Sequence, residues 1–211
     1  MNVELSTVEQ GRLGKMRRFN LPIYIPEILY WVGVRPILIY RRIRYGFSFR
    51  KIPLSQGKFA MVDEEDYAEL CEYKWYATNQ RDHFYAARNK IKNGRRTYMT
   101  MHRQIMKCPK DMVIDHINHN GLDNRRANLR LATRQQNSWN IKKRPGKKSS
   151  QFKGVSFCKR DKRWEAYIIY GKKHIFIGRY DDEETAARAY DTKAKELFGE
   201  FAYPNFANSG K

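Results

Sequence analysis

The chain has 211 residues and a formal net charge of +20, from 42 Lys and Arg against 22 Asp and Glu. Hydrophobic residues make up 41% of it, so the composition excludes a wholly disordered chain. Such a positive excess predicts a polyanionic partner, and nucleic acid is the leading one. Association with a ribosome or an anionic membrane surface is the alternative that charge alone leaves open.

The cysteines and the most apolar stretch bear on the cellular setting. Cys71, Cys108 and Cys158 are far apart, and none stands in C-x-x-C spacing. This pattern argues against a disulfide framework and against a cysteine-built zinc site, and it predicts a reducing, intracellular, cytoplasmic setting. Three prolines and two charged residues interrupt the stretch from Leu21 to Tyr40. A spanning helix needs about 20 nearly uncharged residues, so we expect none here.

Composition divides the chain into five segments. Residues 1–50 form a basic, aromatic-rich leader without a clear period, and we assign it no role. Residues 51–141 carry strand and helix patterns and form the first predicted domain. Residues 142–150 are a linker by composition, with Pro, Gly, Ser and several lysines. Residues 151–206 form a second predicted domain, and residues 207–211 are a tail.

The first predicted domain consists of short elements. KIPLSQGKFAMVD predicts two strands around a Ser-Gln-Gly turn, followed by a helix that starts near Asp63. HFYAARNKIKNGRRTYMTMHRQIM predicts a hairpin with Asn93–Gly94 in its turn. VIDH and NLRLA predict two more strands, and Thr133 with Gln136 predicts a capping box at the start of a helix. The order there is strand, strand, helix.

The stretch VIDHINHNGLDNRRANLRLATRQQN, from Val113 to Asn137, collects asparagines around an Asp-His pair. Neighbours on a strand point to opposite faces, but a bend at the strand end lets Asp115 and His116 share a site. Asp115 can then bind a hard divalent cation, with a carbonyl oxygen added by Asn137. An imidazole ordinarily titrates near neutral pH, so His116 can take a proton from water, and Asn128 is placed to orient it.

Together with M-H-R-Q-I-M upstream, these residues resemble the HNH endonuclease family, also called the ββα-metal fold. The resemblance is to its phage and mobile-intron branch, in which asparagine replaces the final histidine. It covers about residues 51–140. It implies that His116 is the general base, that Asn128 is the central asparagine, and that Asp115 and Asn137 bind Mg²⁺ or Mn²⁺.

Two other interpretations of this stretch stand beside the nuclease. His116 and His119 could begin a zinc site, but no third or fourth ligand stands at workable spacing. A nuclease fold that has lost turnover is the second alternative, although all four motif residues are present. His102, within the upstream motif, is interpreted as buried or backbone-bonded rather than catalytic.

The second predicted domain reads as three strands and one helix. FKGVSFCKRDKRWEAYIIYGKKHIFIGRY predicts alternating strands, with turns at residues 160–162 and at Gly171. DDEETAARAYDTKAKELFGE predicts a helix with Asp182 as its N-cap and Gly199 at its end. Alternate residues share a face of a sheet, so Trp164, Ala166 and Ile168 should face the helix. The opposite face carries aromatic and charged side chains and can enter the DNA major groove.

K-G-V, W-x-A-x-I, I-G-x-Y, A-A-x-A-Y-D and L-F-G-E-x-A-x-x-N-F follow in order from Ser150 to Phe206. They resemble the plant APETALA/ethylene-response-factor DNA-binding domain, in the form that is fused to HNH nucleases of phages and bacteria. The resemblance implies DNA contacts at or beside the outer sheet face, namely at Ser156, Cys158, Arg160, Arg163, Glu165, Tyr167, His174 and Phe176. Lys162, Lys172 and Lys173 flank this face, and we expect them to bind DNA as well. Plant domains have an arginine-rich first strand where this chain has Ser-Phe-Cys, so their target sequence does not transfer.

Some of these positions also have interpretations that involve no sequence-specific DNA contact. Phe176 could simply pack, and the lysines could form a solvated rim that binds phosphates without regard to sequence. Such a rim would still raise affinity for any duplex.

The sequence thus predicts an α+β protein: a ββα-metal HNH core preceded by β-hairpins, then a three-stranded antiparallel sheet packed on one α-helix. We expect a metal-dependent DNA endonuclease of homing or mobile-element type, with double-stranded DNA as partner, and neither a membrane nor a small-molecule substrate. Double-strand cleavage would need a homodimer or two successive events. The alternatives are a non-catalytic DNA-binding regulator and an RNA-binding or ribosome-associated protein.

Overall fold

The computed structural model describes residues 16–18, 24–80, 83–143, 146 and 149–206. Over these ranges the protein is a mixed α+β molecule of small sheets and few helices, as the sequence predicts. It divides into two compact units. The first comprises Met1–Cys108 and His116–Arg130, and the second comprises Pro109–Asp115 and Leu131–Lys211.

The elements up to residue 105 belong to the first unit. They are β1 (Met16–Arg18), β2 (Tyr24–Pro26), α1 (Glu27–Tyr45), β3 (Arg50–Pro53), β4 (Phe59–Val62), α2 (Glu64–Cys71), β5 (Tyr76–Gln80), β6 (His83–Lys92), β7 (Arg95–Thr100) and α3 (Met101–Ile105). The remaining elements are β8 (Val113–His116), β9 (Leu129–Ala132), α4 (Arg134–Trp139), β10 (Val155–Cys158), β11 (Arg163–Tyr170), β12 (Lys173–Tyr180) and α5 (Glu183–Phe198). A 3-10 turn, Arg126–Asn128, precedes β9.

Sheet pairing follows chain order. The pairs β1–β2 and β3–β4 are antiparallel ribbons, and β5–β6–β7 and β10–β11–β12 are antiparallel three-stranded sheets. Strands β8 and β9 form a further two-stranded sheet. The hairpin predicted at Asn93–Gly94 is confirmed: both residues have positive φ, and Lys92 pairs with Arg95.

Several elements were not predicted: β1, β2, α1, β5 and α3, the last of which lies within the stretch for which the sequence predicts a hairpin. Strand β5 adds a third strand to the β6–β7 hairpin, and α1 runs through the leader as a 19-residue helix that contains Pro36. Several apolar side chains of α1 are exposed, with Ile43 at 81%, so its sequence lacks the apolar stripe that marks a packed helix. No described helix is long and apolar enough to cross a membrane.

In the second unit, α5 packs on one face of the β10–β11–β12 sheet. Ala166 and Ile168 of β11 are buried, and the small side chains of Ala186, Ala187 and Ala194 let the helix lie close to them. The N-cap prediction is confirmed, because the Asp182 carboxylate accepts a hydrogen bond from the Thr185 amide at 2.7 Å. The other sheet face is left exposed.

Candidate active site and DNA-binding face

His116 ends strand β8 and begins the 116–130 segment of the first unit. Its ring is tilted against Tyr85 at 5.8 Å between centroids and lies edge-on to His102 at 5.1 Å. It is 7% exposed. The packing fixes the ring from two sides, which is what a proton-accepting side chain of defined orientation needs.

Asn128 holds the loop that follows His116. Its side-chain amide donates to the Asp123 carbonyl at 2.8 Å, and its Oδ1 accepts from the Asn118 amide at 3.0 Å. Its backbone carbonyl accepts from Ile117, the residue directly after His116, at 3.0 Å. Asn128 therefore sets the backbone position of His116; that it also orients the imidazole stays a prediction.

Most of the other asparagines and their aspartate partner build the loop. Asn118 donates to the buried Asp123 carboxylate at 2.8 Å, and Arg125 forms a two-pronged ion pair with it at 2.8 and 2.7 Å. Gly121 lies so close to β6 that a Cβ would come within 2.6 Å of the Tyr85 ring, and only glycine permits this approach. The loop and the ring beside His116 are therefore packed together.

His102 is half-buried, and its Nε2 lies 3.1 Å from the Thr100 hydroxyl. Burial, followed by the proximity of His116 and Arg103, lowers the pKa of His102 to about 3. The ring is therefore neutral at physiological pH and adds no charge beside His116. Its Nδ1 is buried and has no hydrogen-bond partner within the described residues.

Asp115 belongs to the second unit. It is 4% exposed, and the side-chain amide of Asn140 reaches both carboxylate oxygens at 2.9 Å. Asn140 is itself 5% exposed. Sequence reasoning missed this residue, which lies one helical turn after Asn137. Because two hydrogen bonds hold the carboxylate, Asp115 has a fixed orientation and still offers oxygen lone pairs.

Asn137 lies in the middle of α4 and is half-buried. The capping box predicted before it is confirmed: Thr133 Oγ1 accepts from the Gln136 amide at 3.1 Å, and Gln136 Oε1 accepts from the Thr133 amide at 2.8 Å. This reciprocal pair begins the helix at Arg134 and so fixes the position of Asn137 along it.

The residues of the second unit fit a hard divalent cation. A buried carboxylate and an amide carbonyl are both oxygen donors, and Mg²⁺ in proteins uses one or two such groups and keeps several waters. Two acidic clusters elsewhere among the described residues, Asp63–Glu65–Asp66 and Cys158–Asp161–Glu165, could also approach a cation. Both carry arginine ion pairs, to Arg126 and to Arg179, and these satisfy the carboxylates without a metal.

The predicted DNA-contact residues lie on the exposed face of the sheet or at its turns. In register across the strands, Ser156 pairs with Glu165, Cys158 with Arg163, and Tyr167 with Phe176. The Tyr167 and His174 rings stack at 6.3 Å, and Phe176 is 58% exposed. Exposed basic side chains stand around this face at Arg160, Lys162, Lys172 and Lys173.

One member of this face was missed. Arg179 of β12 pairs with Glu165 at 2.9 Å and with Asp161 at 3.3 Å, and its guanidinium lies 5.8 Å from the Phe176 ring centre. Ile177 is left without a strand partner at the irregularity after Ala166, which shifts the parity so that Arg179 follows Phe176 onto the outer face. An irregularity of this kind cannot be seen by counting alternate residues.

The HNH endonuclease family model matches residues 107–139, which include both candidate metal ligands and His116. An HNH endonuclease of Acanthamoeba polyphaga mimivirus is 36% identical over 157 residues, which are 74% of this chain and 80% of that protein. This chain belongs to the HNH endonuclease family. It is accordingly a DNA-cleaving enzyme.

Other relatives match parts of this HNH endonuclease. Protein 3.8 of Escherichia phage T7 is 42% identical over 95 residues, covering 44% of the chain and 76% of the phage protein. An AP2-like ethylene-responsive transcription factor of Arabidopsis thaliana is 44% identical over 62 residues, which are 29% of the chain and 13% of the plant protein. No solved structure matches the chain.

Proposed function

We propose that the protein is a metal-dependent DNA endonuclease in which His116 is the general base, and Asp115 and Asn137 hold Mg²⁺ or Mn²⁺. The observation that carries this proposal is a buried carboxylate, oriented by the Asn140 amide, directly before a histidine that is packed between two rings. Asp115, His116 and Asn137 fall within the segment that matches the family model.

In the proposed reaction, His116 takes a proton from a water molecule as that water attacks the scissile phosphorus in line with the departing 3′ oxygen. When bound, the cation supplies charge neutralisation at the phosphate and at the departing oxygen. Asp115 and Asn137 provide its oxygen ligands, and Asn128 keeps the backbone after His116 in place. The products carry a 5′-phosphate and a 3′-hydroxyl.

The exposed face of the β10–β11–β12 sheet is proposed to bind the duplex and to position it for cutting. Tyr167, His174 and Phe176 offer ring faces there, and the lysines at the turns offer phosphate contacts. The match of 62 residues of the chain to a plant AP2-like transcription factor supports the same role. Relatives from a giant virus and a phage support a mobile-element character.

The experiment is a plasmid assay with Mg²⁺, with Mn²⁺ and with a chelator, on the full chain and on His116→Ala. We expect nicking or linearisation only with metal, and a loss of about 10²-fold or more in the variant, since general-base catalysis supplies about that factor. Duplex binding should be nearly unchanged. His83→Ala, at an exposed histidine of β6, is the matched control. Normal cutting by His116→Ala would remove the base assignment.

A further inference from the structure

Trp139, the last residue of α4, packs into the hydrophobic cluster of the C-terminal sheet and α5. Its ring is stacked on Phe198 of α5 at 4.5 Å between centroids with planes 10° apart, and on Tyr170 of β11 at 5.7 Å and 21°. The cluster beneath it contains the buried Ile168 and Tyr190. An offset stack on two rings defines both the position and the tilt of the indole.

A second contact fixes the same end of α4. The Lys153 ammonium donates to the Trp139 carbonyl at 2.7 Å, and this carbonyl is one of those that a helix end leaves without a partner. The backbone of Lys153 exchanges hydrogen bonds with the Asn205 side chain, which also donates to the buried Asp191 of α5 at 3.1 Å. Burial lowers the pKa of Lys153 to about 8, which agrees with a desolvated contact.

We propose that Trp139 docks α4 onto the C-terminal sheet and helix, so that the metal-binding helix and the DNA-binding sheet move as one body and the cut falls at a fixed offset from the bound sequence. The fixed offset of the cut rests on the proposed function. The packing of Trp139 onto the C-terminal sheet and helix, here called the dock, does not. Trp139 is a positioning residue here. The alternative arrangement is a nuclease helix on a flexible tether, with the offset set by the linker at residues 142–150.

The dock is tested first without DNA. Spin labels at Ser138→Cys on α4 and Thr192→Cys on α5, in the full chain with its three native cysteines changed to alanine, give a distance distribution. One narrow distance is expected in this background and in Trp139→Phe, and a broad distribution in Trp139→Ala. Phe206→Ala is the matched control, because that ring packs on Phe152 in the same unit and should leave the distance narrow. A broad distribution before any Trp139 change, or a narrow one in Trp139→Ala, overturns the dock.

The consequence for cutting is tested with a linker insertion. Four residues, Gly-Ser-Gly-Ser, are placed after Gly146, and cut positions are mapped on a random duplex library with Mg²⁺. A docked helix keeps the wild-type offset despite the longer linker, whereas a moved or widened set of cuts overturns the proposal. If the wild-type chain makes no cuts, the proposed function fails, and the label distances still decide whether the dock exists.

Discussion

At the scale of single residues, the Asp115–Asn140 contact is one feature that the sequence did not predict. A carboxylate held at both oxygens by a buried amide is oriented before any cation arrives. Partners that orient a metal ligand are worth about 10- to 100-fold in metal affinity or activity in other proteins. Asn140 should therefore matter although it belongs to none of the motif positions.

Asn140→Ala is expected to raise the Mg²⁺ concentration needed for half-maximal cleavage by about 10-fold or more, because the Asp115 carboxylate loses its fixed orientation. The measurement is the cleavage rate across a Mg²⁺ titration. Saturating Mg²⁺ should restore much of the rate, which a simple loss of folding would not allow. Asn79→Ala, at an exposed asparagine of β5, is the control. An unchanged Mg²⁺ requirement would show that the contact does not serve the metal.

At the scale of elements, α4 is six residues long, so its start and end decide whether it exists. Isolated helices of this length do not persist in water. The Thr133 capping box satisfies backbone groups at one end, and the Lys153 contact satisfies a carbonyl at the other. The position of Asn137 depends on the contacts at both ends, because they stabilise the helix that carries it.

Thr133→Ala is expected to lower the free energy of unfolding by about 1 kcal/mol, the usual cost of losing an N-cap side chain. Thr133→Ser should keep most of the wild-type stability, since a serine hydroxyl can accept the same hydrogen bond from the Gln136 amide. Urea unfolding followed by tryptophan fluorescence measures the difference. Equal stability of the alanine and serine variants would contradict a capping role.

Several turns and helix starts could be predicted because their signals are local. The Asn93–Gly94 turn, the Thr133–Gln136 box and the Asp182 cap each need only neighbouring residues. Helix α1 could not be predicted, since Pro36 and the basic residues around it break the apolar period. Such local signals predict turns and helix starts well. They do not predict a long helix whose apolar side chains are exposed.

Most contacts of the site residues could not be predicted from the sequence. Asp115 and His116 stand out in the sequence, but the contact from Asn140 joins residues that are distant in the chain. Trp139 is a single apolar residue at the end of a short helix, so no period indicates what it packs on. The Ile177 irregularity that brings Arg179 to the outer sheet face is likewise a property of the paired strands.

At the scale of the whole molecule, the formal charge of +20 predicts affinity for duplex DNA that falls steeply with salt. Each phosphate contact adds about −0.9 to the slope of log K against log [salt]. Lys172 and Lys173 stand at the turn between β11 and β12 and are exposed. They are placed to make such contacts from the edge of the proposed DNA-binding face.

Changing Lys172 and Lys173 together to alanine should weaken binding on every duplex alike and reduce the slope by about 2. Fluorescence anisotropy across a salt series measures both effects. Lys193→Ala is the control, because that lysine pairs with Glu196 on α5. A changed sequence preference with an unaltered slope would instead assign these lysines to base readout.

The route of the chain has a consequence for how such proteins can be recombined. Residues 109–115 belong to the second unit, 116–130 to the first, and those from Leu131 onward again to the second. No single crossover point separates the two units. In a chimera joined at the linker, Trp139 would come from one protein and the sheet and helix that it packs on from another. Phe198 and Tyr170 would then lose their contacts with the Trp139 indole. Exchange of the proposed DNA-binding part between nucleases should succeed only when α4 is exchanged with it.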